Sequence, residues 1–334
     1  MNNSFSIRDQ LVKQRVVIAL VLLLIFGASR YDNFLGMFNI LTVLRYNSMF
    51  ALTGLGMCFV IMTGGIDLSV GAVAALASVV SALLSTVGWW EGLLGGVACG
   101  LIVGAINGFL ITKMRILPFI ATLAAMLAAR GMALLLAHND TVSVSYDTGF
   151  TDIGQGDFLN IPIPAWIGAI AYIYGSIVLN RTSFGRHVLA VGGNEDAARL
   201  MGLPVDRTTF MAYVQSGICA GLAGVILASQ FGAGQPAEGV GWELFSIAGV
   251  VVGGTLLTGG LGSVFTTLIG ILLLGLVFNI LNFENGMGWI SLSAYWQSVI
   301  RGVFLMVVVM AGPGQGKRIA KLVTGKVADP AAAE

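Results

Sequence analysis

The sequence predicts an all-α fold: a polytopic transmembrane helical bundle of about ten spans, with glycine-broken helices and a short helix outside the membrane. Three observations predict it. Of 334 residues, 57% are hydrophobic and only 10% are charged, against roughly 25% charged in soluble domains. Apolar runs of about 20 residues, the length that crosses a bilayer as a helix, recur along the chain. Lys and Arg concentrate in alternate connections between those runs. A soluble fold could not cover its surface with so few charges, whereas lipid-facing surface needs none. The 46 glycines suit helices that approach closely through small faces.

The expected crossings are 16–30, 46–63, 70–88, 92–112, 117–137, 162–180, 209–229, 243–258, 262–282 and 296–312. They divide the chain into a cytoplasmic N-terminal segment (1–15), a transmembrane domain (16–312) and a cytoplasmic tail (313–334). The first run has the basic flank and apolar core of a signal peptide. No small-x-small cleavage site follows cleanly, and Arg30, Tyr31 and Asp32 read as an interfacial stop, so a retained span is expected. The segments around Gly64 and Gly259 are glycine-broken, and either one suits a re-entrant or discontinuous helix as well as a clean crossing.

An even number of crossings puts both termini on one side. On that side fall Arg8, Lys13 and Arg15; Lys113 and Arg115; Arg181, Arg186, Arg199 and Arg207; and Lys317, Arg318, Lys321 and Lys326. These are thirteen of the 17 basic residues, which marks that side as cytoplasmic. The long loop 138–161 on the other side carries Asp140, Asp147, Asp152 and Asp157. Trp89, Trp90, Trp166, Trp242, Trp289 and Trp296 fall at expected outer interfaces, where amphipathic rings settle. The Gly-rich stretches 63–71 and 253–262 echo one another, as paired helix breaks do in two related halves; chance in a Gly-rich chain gives the same echo.

Ionisable groups at membrane depth are candidates for function because they are expensive to place there. Asp67 sits in the first break, beside Gly64, Gly65 and Ser69. It reads either as part of a break on a translocation path or as a local cap accepting from the Ser69 and Val70 amides. Arg130, past the middle of its span, reads as a pathway residue, an inter-helix clamp, or a side chain satisfied by a carboxylate or carbonyls. Glu243 and Arg301 are expected near the outer ends of their helices. Gly253 and Gly254 belong to the second break.

Other chemistry is excluded by pattern. The stretch 312–318 has a glycine spacing that does not fit a phosphate loop and no hydroxyl after Lys317. His138 and His187 lie on opposite sides. Cys58, Cys99 and Cys219 are scattered in apolar runs and read as packed thiols. No catalytic group, metal, cofactor or nucleic-acid partner is expected.

The 181–208 loop carries the most specific local signal. Asn194 suits a helix N-cap, Glu195 and Asp196 suit the first turn, and Gly202 with Pro204 suits the stop. The pattern predicts a two-turn helix over 195–201 presenting Ala198, Leu200 and Met201. So short a helix needs something to pack on: either its own membrane ends or a groove on a soluble partner.

At these residues the sequence resembles the membrane permease subunits of bacterial ABC sugar importers of the ribose/xylose/arabinose type. The matching stretches are Gly64–Gly71, Leu117–Leu123 with Arg130 and Gly131, Thr182–Arg186, Gly192–Asn194 and Ala198–Gly202, then Glu243, Leu244, Gly253–Thr255, Gly259, Gly260 and Gly262. They span roughly 35–312. The resemblance implies a non-enzymatic permease that pairs with a second permease copy, like or unlike itself, in the lipid membrane. Two ATP-binding cassette subunits would dock below and a periplasmic sugar-binding protein above. It also implies that Gly185, Arg186, Gly193, Asn194, Glu195, Ala198, Arg199, Leu200, Met201 and Gly202 belong to the ATPase-coupling segment. An ion-coupled secondary transporter using Asp67 is the competing reading, and a channel or scaffold fits the composition alone. Loop 139–160 matches no motif of the family.

Overall fold

A computed structural model describes residues 15–286 together with 296, 299–300, 302–303 and 306. The expected crossing 296–312 falls largely outside these residues. Segment 1–14, Trp289, Arg301 and the tail 313–334 lie outside them altogether.

The described chain is mostly helical. Its helices are α1 (Arg15–Arg30), α2 (Met37–Met62), α3 (Val70–Ser85), α4 (Trp89–Thr112), α5 (Pro118–Leu136), α6 (Asp152–Gln155), α7 (Ile163–Arg181), α8 (Ser183–Gly193), α9 (Glu195–Leu200), α10 (Val205–Phe231), α11 (Trp242–Val252) and α12 (Val264–Gly286). Four two-residue strands interrupt them: β1 (Val142–Ser143) pairs with β4 (Ala233–Gly234), and β2 (Asp157–Phe158) with β3 (Ile161–Pro162), both antiparallel.

Among the described residues, six helices are long and apolar enough to cross a membrane: α2, α4, α5, α7, α10 and α12. Helices α3 and α11 are apolar but shorter. Nine of the ten expected crossings thus coincide with a helix, but the count of ten full spans is not confirmed. Two of the missing spans, α3 and α11, adjoin the breaks, where the chain stops being helical inside the bundle; α1 has 16 residues, and 296–312 lies largely outside the described residues.

Both breaks are built alike. The Gly64 amide donates to Ile61 O (2.9 Å) and the Gly65 amide to Val60 O (3.1 Å). One break later, the Gly254 amide donates to Val251 O (2.9 Å) and the Thr255 amide to Val250 O (3.2 Å). This is the paired bonding that closes a helix through a left-handed residue, and Gly64 and Gly254 have φ of +85° and +90°. Each break then runs to a Ser-Val pair that opens the next helix, Ser69-Val70 and Ser263-Val264. The breaks also touch: the Gly260 amide donates to Met62 O (3.0 Å).

Helices α4 and α10 form the most extensive contact in the bundle. The buried face of α4 is a ladder of Gly92, Gly96, Gly100, Gly104 and Gly108, one residue per turn. A Cβ on Gly100 would overlap Gly217 O and lie 2.8 Å from Gly221 Cα. Backbones this close gain dispersion contacts that larger residues would prevent.

Two ends of the bundle follow. Arg45, in the first third of α2, pairs with Asp157 (2.7 Å), which places the 137–162 loop at one end, here the acidic end. Arg115 pairs with Asp206 (3.2 Å), which places the 113–117 turn and the start of α10 at the other, the basic end. Gly100→Val is expected to force α4 and α10 apart. Overpacking of this kind costs roughly 1–3 kcal/mol, and a lowered unfolding midpoint in detergent, compared with Val on the lipid-facing side at Ile102, checks it.

Candidate functional site

A cavity of about 740 Å³ lies toward the acidic end, between α2, the end of α10, the 238–241 segment, α11 and α12. Aromatic rings and amides share its wall: Tyr46, Phe50, Phe231, Trp242, Phe245 and Phe278 with Asn47, Asn279 and Asn282. Phe50 packs on Trp242 and Phe245 at centroid distances of 4.8 and 4.4 Å. Among the described residues the charged side chain in the wall is Glu238. Flat apolar faces with a few amides are the lining expected around a small neutral polar solute.

The segment that lines this cavity dips into the bundle. Chain 232–241 leaves α10 at Gly232, pairs with β1, and then runs along α3: the Gln235 amide donates to Ser78 Oγ (3.0 Å). Deeper still, Gly239 meets Gly71 backbone to backbone, and a Cβ on either would overlap the other's carbonyl oxygen. Arg130 holds the segment from α5, donating to Pro236 O (2.9 Å) and Glu238 O (2.6 Å). Of the readings open for Arg130, the geometry is that of a clamp onto carbonyls.

One expectation is corrected here. Trp242 is not at an outer interface but is 7% exposed, packed with Met49, Leu52, Ala223 and Leu227. Ala223 lies eight residues before the end of α10, roughly 12 Å inward at the helical rise. Glu243 sits in the first turn of α11, at the expected end of its helix, with Oε2 3.0 Å from where a Gly71 Cβ would stand. Helix α11 starts within the bundle because the chain has already crossed part of it as an extended segment.

Asp67 is buried, at 1% exposed. Oδ1 accepts from the Ser69 amide (3.0 Å) and the Ser69 hydroxyl (2.6 Å), and Oδ2 accepts from Ser216 Oγ on α10 (2.7 Å). Asn107 Nδ2 on α4 donates in turn to Ser69 Oγ (3.0 Å). The local cap is present, but its second donor is the Ser69 hydroxyl in place of the expected Val70 amide. Next to it, Ile66 O accepts from Tyr213 Oη (3.3 Å) and Thr122 Oγ1 (3.4 Å). Gly253 of the second break packs on Thr266 and Thr267 of α12.

At the basic end, α9 is the expected short helix, one residue shorter. Asn194 Oδ1 accepts from the Ala197 amide (2.8 Å), and Gly202 has φ of +76°. Leu200 and Met201 stand 90% and 70% exposed. Ala198 does not join them: it is fully buried with Val191 and Val205, because it lies on the opposite face. Arg199 donates to Glu195 (2.9 Å) and Asp206 (3.1 Å), and those bonds raise its pKa above the usual arginine value. Arg115 bonds the other Asp206 oxygen, so one ion-pair chain ties α9, α10 and the 113–117 turn. A crevice of about 340 Å³ beside it reaches Gly64 and Gly65.

Ahead of α9 stands a helix that was not expected, α8, capped by Thr182 Oγ1 accepting from the Gly185 amide (3.3 Å). Gly185 packs on Leu179 O, Arg186 is exposed, and open space surrounds Gly193. Gly192 instead touches Met62 O and the Gly260 amide nitrogen, so α8 seals the meeting point of the two breaks. Sequence reasoning missed Ser216, Asn107, Tyr213 and the cavity wall. Each is a lone polar or aromatic residue in an apolar helix, far in sequence from the group it meets.

Comparisons with known proteins agree on one family. The family described as "Branched-chain amino acid transport system / permease component" matches residues 39–309. The ribose import permease protein of Bacillus subtilis is 40% identical over 296 residues, 88% of this chain and 90% of its own. The ribose import permease protein of Escherichia coli K12 is 37% identical, over 90% and 93% of the two chains. The L-arabinose transport system permease protein of the same strain is 38% identical over 79% of each. No solved structure gives a significant match.

Arg130→Ala is expected to release the 236–238 carbonyls. Charge-assisted hydrogen bonds contribute about 1.5–3 kcal/mol, so hydrogen exchange of the 235–240 amides should speed up by roughly tenfold or more. Unchanged exchange there would contradict the clamp.

Proposed function

The chain belongs to the permease-component family of branched-chain amino acid transport systems, and on that premise we propose that it is the membrane subunit of an ATP-driven importer for a monosaccharide or similar polyol. A separate ATP-binding cassette subunit supplies the energy at the basic end. A periplasmic sugar-binding protein delivers the solute at the acidic end, and a second permease copy completes the pathway in the bacterial inner membrane. The positive-inside bias makes the basic end, with residues 1–15, the 181–208 loop and 313–334, cytoplasmic.

The observation that carries this reading is α9. A helix of two turns is not stable alone, yet this one is capped, clamped by Arg199 and Asp206, and seated on Val191 and Val205. What it offers outward is apolar, Leu200 and Met201. An apolar knob on a rigid mount suits docking into a groove of a soluble partner. Glu195, Leu200 and Met201 form its outer surface, with Gly185, Arg186 and Gly193 in the helix before it.

The solute class rests on the relatives' names and on the cavity wall. An amino acid carries an α-carboxylate that calls for a cation, and among the described residues the cavity wall has Glu238 but no Lys or Arg. Aromatic faces and amides suit a neutral polyhydroxylated ring. Gly64, Gly65, Asp67, Ser69, Gly253 and Gly254 then lie where the pathway narrows below the cavity.

Reconstitution into liposomes with its ATPase and receptor tests the reading: uptake should require both and ATP. Uptake driven by an ion gradient alone would overturn it. Leu200→Asp is expected to leave the permease in the membrane and cut uptake by roughly tenfold or more, as for loss of an anchor of about 1.4 kcal/mol. Normal uptake by that variant would defeat the docking assignment.

A further inference from the structure

We propose that the buried hydrogen bond between Ser216 and Asp67 is a latch through which movement of α9 reaches the cavity wall, with both residues acting as positioning residues. The inference rests on the importer reading above.

The path is continuous. Helix α9 is fixed to the first turn of α10 by Arg199–Asp206 and by Ala198 against Val205. Helix α10 then runs unbroken from Val205 to Phe231 with no proline, so displacement of its start is carried along it. Eleven residues on, roughly 17 Å inward, Ser216 Oγ donates to Asp67 Oδ2, and one turn earlier Tyr213 Oη donates to Ile66 O. Asp67 holds the start of α3 through Ser69. Gly71, in the first turn of α3, abuts Gly239, whose neighbours Glu238, Val240 and Gly241 line the cavity.

Two features favour a latch over a mere rivet. No cation within ion-pair distance accompanies the buried carboxylate among the described residues, so Ser216 can leave it without a buried ion pair being broken. The network also keeps a spare acceptor. Among the described residues Asn107 Oδ1 is buried and unbonded, on the same amide group that donates to Ser69 Oγ. The Ser69 hydroxyl, which also donates to Asp67, therefore has an unused acceptor on a group it already meets, which gives the network two arrangements in place of one.

The test uses the complete importer in liposomes, measuring solute moved per ATP hydrolysed. Ser216→Ala should still assemble and hydrolyse ATP at the basal rate, while solute moved per ATP falls roughly fivefold or more. Asp67→Asn should keep near-normal coupling, because the amide can donate to Ser216 Oγ and still accept from the Ser69 amide. Wild-type stoichiometry in Ser216→Ala overturns the latch. So does loss of transport in Asp67→Asn, which would point to the charge. If Ser216→Ala fails to assemble, Ser216→Cys, of similar volume but a weak donor, is read in its place, and failure of both to assemble also overturns the proposal. A wild-type importer that moves no solute with ATP and receptor defeats the underlying reading instead.

Discussion

A helix that stops inside a bilayer leaves backbone groups with no water to take them, and the rest of this structure follows from how those groups are satisfied. Three stretches of non-helical chain enter the bundle: 63–69, 232–241 and 253–263. Each is answered from another part of the chain. Ile66 O receives Tyr213 and Thr122, Pro236 O and Glu238 O receive Arg130, and Met62 O receives the Gly260 amide. Thr122, Tyr213 and Arg130 are polar residues of the bundle whose side chains serve these breaks. The charges that composition marks as anomalous, Asp67 and Arg130, are explained first as the means of keeping broken backbone at depth.

That requirement also shapes the packing. Breaks can be answered only by neighbours that come close, and the glycine faces of α4 and α10 bring them close. Helix α10 is thereby held along its length while its first turn stays attached to α9 at the surface. The surface helix and the buried break are two ends of one rigid element. On the proposed reading, energy supplied by a soluble partner would need such a connection, and a single uninterrupted helix offers it.

What could be read from sequence was what is local. The Asn194 cap, the Gly202 stop and the left-handed Gly64 and Gly254 are each set by residues within one turn. The inward face of Ala198 was not legible, because helical periodicity over six residues does not say which side is covered. Trp242 was misplaced for a related reason. Apolar composition locates a span but not how much of it is helix, and 232–241 spends depth as extended chain. The Ser216–Asp67 bond joins residues 149 apart in sequence, and a serine in an apolar helix is ordinary by itself.

The central claim is that the cavity wall answers to the basic end of the molecule. It is tested most directly by the distance between spin labels at Phe38→Cys, at the start of α2, and Val240→Cys, in the cavity wall; both positions are exposed. In the assembled importer, that distance distribution should shift between the nucleotide-free and ATP-bound states. An unchanged distribution, in an importer that still binds ATP and moves its solute, would contradict the account.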